Sequence, residues 1–160
     1  MGSGGSARAI LAVLCMIPER PDSIKIYNRT PERLDNLLED LSARIDTSIV
    51  EPVAGIDDLD IPEADLLINT TSVGLKPEDP SLVDADLVHS KLLVYDLVYN
   101  PPLTPFLKMA QAKGARVANG LGMLYYQGVL AFQHWANVLL DDDIKFKMRQ
   151  ALEKGVNPKG

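Results

Sequence analysis

Short apolar runs recur along the chain, and stretches with helical periodicity lie between them. The apolar runs predict five strands, at residues 24–27, 49–53, 66–69, 92–97 and 116–119, of which the second is the weakest. In several of these runs apolar residues follow one another instead of alternating with polar ones. That pattern is typical of parallel strands that are covered on both faces.

The intervening patterns predict five helices, over residues 6–15, 31–41, 105–113, 123–139 and 141–154, and a single turn at 56–59. Thr30 and Thr104 each stand before a proline, as an N-cap followed by a proline in the first helical turn. The alternation of strands and helices predicts an α/β fold with a Rossmann-like, doubly wound, mostly parallel sheet. We expect one domain over residues 1–160.

Residues 117–140 carry no charge, and a segment of that length could span a bilayer. However, Gln127, Gln133, His134 and Asn137 would fall within an arc of about 120° on one helix. This pattern favours a buried helix with one polar stripe over a membrane span. We therefore expect no membrane partner.

Composition narrows the classes of function. Of 160 residues, 46% are apolar and 24% charged, as in globular proteins. The net charge of −6 argues against a nucleic-acid partner. A single cysteine, Cys15, cannot form an internal disulfide, and the first residues lack the basic and apolar regions of a signal peptide. Both observations favour the cytoplasm.

A glycine-rich loop opens the chain. Residues 2–7, Gly-Ser-Gly-Gly-Ser-Ala, match the phosphate-binding pattern in which small residues let the backbone approach a pyrophosphate at a helix N-terminus. The same letters are also typical of a flexible linker. The pattern requires a preceding strand. None is present in the sequence, so the predicted sheet lacks the strand before the glycine loop.

The end of the strand at 24–27 carries the second candidate site. Rossmann-like domains that bind NAD place an acidic residue here, whereas an arginine suits the 2′-phosphate of NADP. This chain has Asn28, Arg29 and Thr30, with Arg33 one turn further on, and no acidic residue at the tip. These residues favour NADP over NAD. The alternative is that Arg29 and Arg33 are two solvated surface cations that bind no ligand.

Three other strands end in turns rich in polar residues and glycine, at 69–74, 96–101 and 119–123. Ligands of open α/β sheets gather beyond the carboxyl ends of the strands, although such residues are also common in ordinary turns. Asp96 is predicted to be buried and to need partners, which a backbone group or a threonine could supply.

Together these motifs resemble the C-terminal, NADP-binding half of the shikimate dehydrogenase family. They occur in the family's order and spacing, from Gly2 to about Trp135. The resemblance rests on residues 2–8, Asn28-Arg29-Thr30 with Arg33, residues 69–74, residues 96–101 with Thr104-Pro105, and residues 119–123 with Gln127-Gly128 and Ala131-Phe132.

The resemblance implies roles for individual residues. The expected cofactor-binding residues are Gly2, Gly4, Gly5 and Ser6 at the pyrophosphate, Asn28, Arg29, Thr30 and Arg33 at the 2′-phosphate, Thr71, Ser72 and Val73 beyond the phosphates, and Leu97, Gly120 and Met123 at the nicotinamide. Tyr99 and Gln127 would reach the substrate, shikimate or 3-dehydroshikimate. His134 lies on the same helix face as Gln127, but the family does not use that position.

The family's N-terminal half, which binds most of the substrate and carries a catalytic lysine and aspartate, has no counterpart in the sequence. We therefore name no catalytic residue and no metal ligand, and expect the chain alone to be inactive. A quinate/shikimate dehydrogenase and a non-catalytic nucleotide-binding fragment remain the alternatives. A homodimer is one way to cover an exposed sheet edge.

Overall fold

The residues described by the computed structural model, 1–76 and 78–156, contain five α-helices, three short 3₁₀ helices and five short strands. The strands are β1 (Ile24–Ile26), β2 (Val50–Pro52), β3 (Leu66–Asn69), β4 (Leu93–Asp96) and β5 (Arg116–Asn119). The helices are α1 (Gly5–Met16), α2 (Pro31–Ser42), α3 (Pro105–Ala112), α4 (Leu121–Ala136) and α5 (Asp142–Val156). Each predicted element is present within three residues of its expected ends. Residues 157–160 of the expected domain lie outside the described residues.

All strand pairs are parallel, as predicted, but they form two sheets. One contains β1 and β2, with Ile24 opposite Val50. The other has the order β3-β4-β5, with Leu66 opposite Leu93. The division falls between β1 and β3, where a strand leading into the glycine loop would lie. The α/β class and its Rossmann-like character are confirmed.

Met1 and Gly2 connect the two sheets at one end. The Met1 amino group donates to the carbonyl of Ile68 at 2.8 Å, and the Thr70 amide donates to the carbonyl of Met1 at 3.0 Å. On the other side, the Gly2 amide donates to the carbonyl of Tyr27 at 2.9 Å. These bonds anchor the glycine loop to both sheets.

Two apolar clusters hold the helices against the strands. The first includes Val94 of β4 and Phe106 and Leu107 of α3. In the second, Leu11 of α1 packs with Ile26 of β1 and with three leucines of α2, Leu34, Leu37 and Leu41. The leucine spacing in α2 places one stripe of the helix against the sheet, as its sequence predicts.

The expectation of a buried α4 with a polar stripe is wrong. Val129 is its one buried side chain, whereas Trp135 is 82% exposed. Gln127, His134 and Asn137 are also exposed. The physical reason is that α4 packs against α5, where the Tyr125 hydroxyl donates to the carbonyl of Lys145, and does not lie beneath the sheet. Among the described residues, no helix is both long enough and apolar enough to cross a bilayer.

Candidate functional site at the carboxyl ends of the strands

The glycine loop has the geometry of an anion-binding turn. Gly2 has a φ of 103°, which disfavours any residue with a side chain. A Cβ at this position would also overlap the hydroxyl oxygen of Thr70. By contrast, the Cβ positions of Gly4 and Gly5 face open space. The loop leads directly into α1, and the bond from the Gly2 amide to Tyr27, with the bonds from Thr70 to the Met1 carbonyl, favours a phosphate loop over a flexible linker.

The first turn of α1 offers unused donors. Gly4 is the N-cap and supplies no side-chain cap, and the first amide bonded within the helix is that of Arg8, at 3.0 Å from the Gly4 carbonyl. The amides of Gly5 and Ser6 therefore point out of the helix end, as in a site for a phosphate group. These glycines leave room for a pyrophosphate, so the residues fit a dinucleotide.

The tip of β1 presents cationic groups beside a second helix N-terminus. The Asn28 side chain donates to the carbonyl of Thr30 at 2.7 Å and so orders the tip. Thr30 is the N-cap residue of α2, but its hydroxyl makes no capping bond. Arg29 and Arg33 are exposed, and neither forms an ion pair with another described residue. The tip thus fits a phosphate monoester such as the 2′-phosphate of NADP.

A buried polar network joins the ends of β3 and β4. Asp96 accepts hydrogen bonds from the Asn69 amide group at 2.8 Å, the Thr104 hydroxyl at 2.7 Å and the Val98 amide at 3.1 Å. The Asp96, Asn69 and Thr104 residues are fully buried. Burial raises the pKa of Asp96, whereas the three donors act in the opposite direction. The network confirms the expectation that a threonine and a backbone group serve as its partners.

Asn69 also sets the shape of the loop that follows β3. Its Oδ1 accepts from the amide and the hydroxyl of Thr71, at 2.9 and 2.7 Å, and its Nδ2 donates to the carbonyl of Val73 at 3.1 Å. The Thr71 hydroxyl therefore makes its hydrogen bonds within the loop. Ser72 is exposed and Val73 is half-buried. Thr71 is half-buried as well, so Ser72 has the most accessible side chain of the three.

The loop after β4 lies directly against the start of α4. A Cβ at Gly120 would overlap the carbonyl of Leu97, and the Gly120 amide lies 3.4 Å from the carbonyl of Val98. Leu97 is buried, and Met123 is half-buried in the first turn of α4. The structure thus brings Leu97 and Gly120 into contact.

Tyr99 and Gln127, the two expected substrate-binding residues, are not held by hydrogen bonds to other described residues. Tyr99 is half-buried in the loop after β4, and Gln127 is exposed on α4.

The sequence interpretation gave no site role to Thr70 or Asn69, which support the glycine loop and the loop after β3. The available signal for Asn69 was an asparagine at the end of an apolar strand, where a buried polar side chain needs partners.

The parallel topology, the glycine loop and the cationic tip define a Rossmann-like domain of the dinucleotide-binding class. No protein-family model matches the chain. It is 42% identical to a shikimate dehydrogenase (NADP(+)) of Methanopyrus kandleri over 141 residues, covering 84% of this chain and 47% of that protein. It is 36% identical to the shikimate dehydrogenase (NADP(+)) of Desulforamulus reducens, covering 98% of this chain and 53% of that protein.

Solved structures agree. A crystal structure of a shikimate dehydrogenase in complex with NADP+ superposes with a TM-score of 0.79 at 31% identity, covering 97% of this chain and 53% of the other. A quinate dehydrogenase from Corynebacterium glutamicum in complex with NAD gives a TM-score of 0.80 at 26% identity, covering 93% and 51%. The chain belongs to the shikimate dehydrogenase family and corresponds to the C-terminal portion of its members. It spans about half the length of the curated relatives it matches.

Proposed function

We propose that the chain is the NADP-binding portion of a shikimate dehydrogenase, an oxidoreductase that reduces 3-dehydroshikimate to shikimate in the biosynthesis of aromatic amino acids. The observation that carries the proposal is the pair of anion-binding helix ends: the open α1 terminus after Gly4, and the α2 terminus flanked by Arg29 and Arg33. The relatives named above as NADP(+)-dependent support the same cofactor.

Each part of the site has a distinct task. The amides after Gly4 bind the pyrophosphate, where any side chain at Gly2 would push the loop away from Thr70. Arg29 and Arg33, with the Thr30 hydroxyl, bind the 2′-phosphate through charge-assisted hydrogen bonds. The nicotinamide would supply the hydride when bound. Leu97 and Met123 shield that end of the site from water, because both side chains are apolar and at least half-buried.

The remaining roles fall to the loops after β3 and β4 and to α4. We assign Thr71, Ser72 and Val73 to the path of the cofactor beyond the phosphates, with Thr71 acting through the shape of its loop. Tyr99 and Gln127 are free of structural hydrogen bonds, so their polar groups are available for the hydroxyl groups of shikimate. A lysine and an aspartate elsewhere in the enzyme would move the hydroxyl proton.

Replacing Arg29 with alanine is expected to weaken NADP+ binding about tenfold, because an exposed charge-assisted contact contributes about 1.4 kcal/mol. NAD+ lacks the 2′-phosphate, so its affinity should stay within about twofold. Calorimetric titration of both cofactors into both proteins measures the difference. Arg44→Ala is the matched control, since Arg44 is an exposed arginine just beyond the other end of α2.

Three results would count against the assignment. Equal weakening of both cofactors by Arg29→Ala would place the arginine away from the 2′-phosphate. Absence of heat for the unaltered chain at about millimolar NADP+ would favour a fragment that does not bind nucleotide alone. A preference for NAD+ would instead favour the quinate/shikimate alternative.

The purified chain is expected to show no dehydrogenase turnover with NADP+ and shikimate. We assign proton transfer to a lysine and an aspartate in another part of the enzyme, and without them the chain has no general acid–base catalysis. Absorbance of the reduced cofactor follows the reaction, and a full-length family member serves as the positive control. Clear turnover by the chain alone would contradict the assignment of proton transfer to another part of the enzyme.

We also propose that residues 1–160 act as one domain and that the enzyme works in the cytoplasm. The single cysteine, Cys15, is buried and free, which suits a reducing compartment. A homodimer that covers a sheet edge is part of the same proposal, because the outer edges of β2 and β5 are unpaired among the described strands.

A further inference from the structure

The loop between β4 and α3, residues 97–104, is held at its base by the buried network. The Val98 amide donates to the Asp96 carboxylate at 3.1 Å, and the Thr104 hydroxyl donates to the same carboxylate at 2.7 Å. One carboxylate therefore closes both ends of the loop. These bonds do not reach its outer part, residues 99–103, so that part requires a separate support.

The Asn119 side chain reaches the outer part of this loop from the end of β5. Its Nδ2 donates to the carbonyl of Pro102 at 2.8 Å, and its Oδ1 accepts from the amide of Leu121 at 3.1 Å. One amide group thus joins the loop to the first residue of α4. Within the part of the chain that the structure describes, no other side chain hydrogen-bonds between this loop and α4.

The backbone next to Asn119 packs against the opposite end of the same loop. Gly120 is the N-cap residue of α4, and a Cβ at this position would overlap the carbonyl of Leu97. The loop and the start of α4 therefore meet at two points, one at Leu97 and one at Pro102. Two separate contacts fix an angle as well as a distance, so the bridge from Asn119 prevents α4 from turning about the Gly120 contact.

The orientation of α4 depends on this junction because the helix has few other supports. Val129 is its one buried side chain, and the helix packs against α5 instead of lying beneath the sheet. Met123 lies in the first turn of α4 and Gln127 in the next, whereas Tyr99 lies in the loop. A change of angle at the start of the helix would move the first two residues relative to the third.

We propose that Asn119 is a positioning residue for the nicotinamide end of the site, an inference that rests on the function proposed above. By bridging Pro102 and Leu121, it keeps the first turn of α4 against the loop after β4. The bridge thereby sets the separation of Leu97 and Met123. The Asn119 amide group is engaged in the bridge, so it acts through those two residues and not by contacting the cofactor.

Asn119→Ser in the 160-residue chain tests this role. A serine hydroxyl can accept from the Leu121 amide, as in a turn closed by serine, but it ends one bond short of the Nδ2 that donates to Pro102. Calorimetry measures the binding of NADP+ and of adenosine 2′,5′-bisphosphate, which carries the 2′-phosphate and lacks the nicotinamide. We expect NADP+ to bind about fivefold more weakly, as for the loss of one hydrogen bond, and the bisphosphate to stay within about twofold.

Asn36→Ser is the matched control. Asn36 is exposed on α2, and its side chain makes no hydrogen bond to another described residue. This variant should leave the ratio of the two dissociation constants unchanged. The same ratio separates positioning from a loss of folded protein, because partial unfolding lowers the apparent affinity for both ligands by the same factor. The Tm of each variant is measured alongside.

An unchanged ratio in Asn119→Ser would overturn the role of Asn119 and leave the cofactor assignment in place. So would binding of the bisphosphate but not of NADP+ by the unaltered chain, because the nicotinamide end would then not be formed. Binding of neither ligand by the unaltered chain at about 1 mM would instead contradict the proposed function, and the role of Asn119 would fail with it.

Discussion

Gly120→Ala is expected to lower the free energy of unfolding by about 3 kcal/mol, because the added Cβ would overlap the carbonyl of Leu97. The obstacle is backbone at the end of β4, not the far end of a flexible side chain. Relief requires α4 to move away from the loop after β4, and that movement also breaks the contact that we assign to the nicotinamide end of the site. Thermal unfolding followed by circular dichroism measures the loss as a lower Tm.

Gly122→Ala is the matched control for this effect. Gly122 lies two residues further along, in the first turn of α4, and its Cβ would meet nothing within 4 Å. Alanine is the better helix former, so this variant should be as stable as the unaltered chain or more stable by up to about 1 kcal/mol. Equal Tm values for the two variants would mean that Leu97 does not approach Gly120 as described.

Local patterns were sufficient to predict most of the fold. The N-cap threonine and proline before α3, and the continuous apolar runs of β3 and β4, are signals carried within a few residues, so their elements appear close to the predicted ends. The sequence also indicated the kind of partner that Asp96 has, because a buried carboxylate requires donors; a threonine hydroxyl and a backbone amide are two of them, whereas the Asn69 side chain was not predicted.

Long-range packing could not be read in this way. The uncharged stretch 117–140 predicted a buried helix, but the exposure of α4 depends on which surface covers it, and Trp135 is 82% exposed. The contact of Gly2 with Thr70 joins residues far apart in the chain, and no local pattern encodes it. The bonds by which Met1 joins the two sheets also link residues far apart in the chain, and no local pattern predicted them.

Asp96→Ala is expected to cost about 3–5 kcal/mol in unfolding free energy, the largest loss among the single changes considered. The substitution leaves the Val98 amide and the hydroxyl of Thr104 buried without their acceptor, and it removes one of the two acceptors of the Asn69 side chain. A buried donor deprived of its partner costs about 1–3 kcal/mol, and more than one donor is affected here. Chemical denaturation of the variant and the unaltered chain measures the difference.

Asp86→Ala is the control that distinguishes the stability contributed by the buried network from that of an exposed ion pair. Asp86 accepts from Lys113 at 2.8 Å, within the range of 2.7 to 3.1 Å of the bonds to Asp96, but its side chain is 89% exposed. Solvent screens that pair, so its loss should leave the denaturation midpoint almost unchanged. Asp96→Ala should also loosen the loop that Asn69 shapes, and so weaken NADP+ binding as well as stability. If Asp96→Ala were no more destabilising than Asp86→Ala, the buried network would not be what holds the ends of β3 and β4 together.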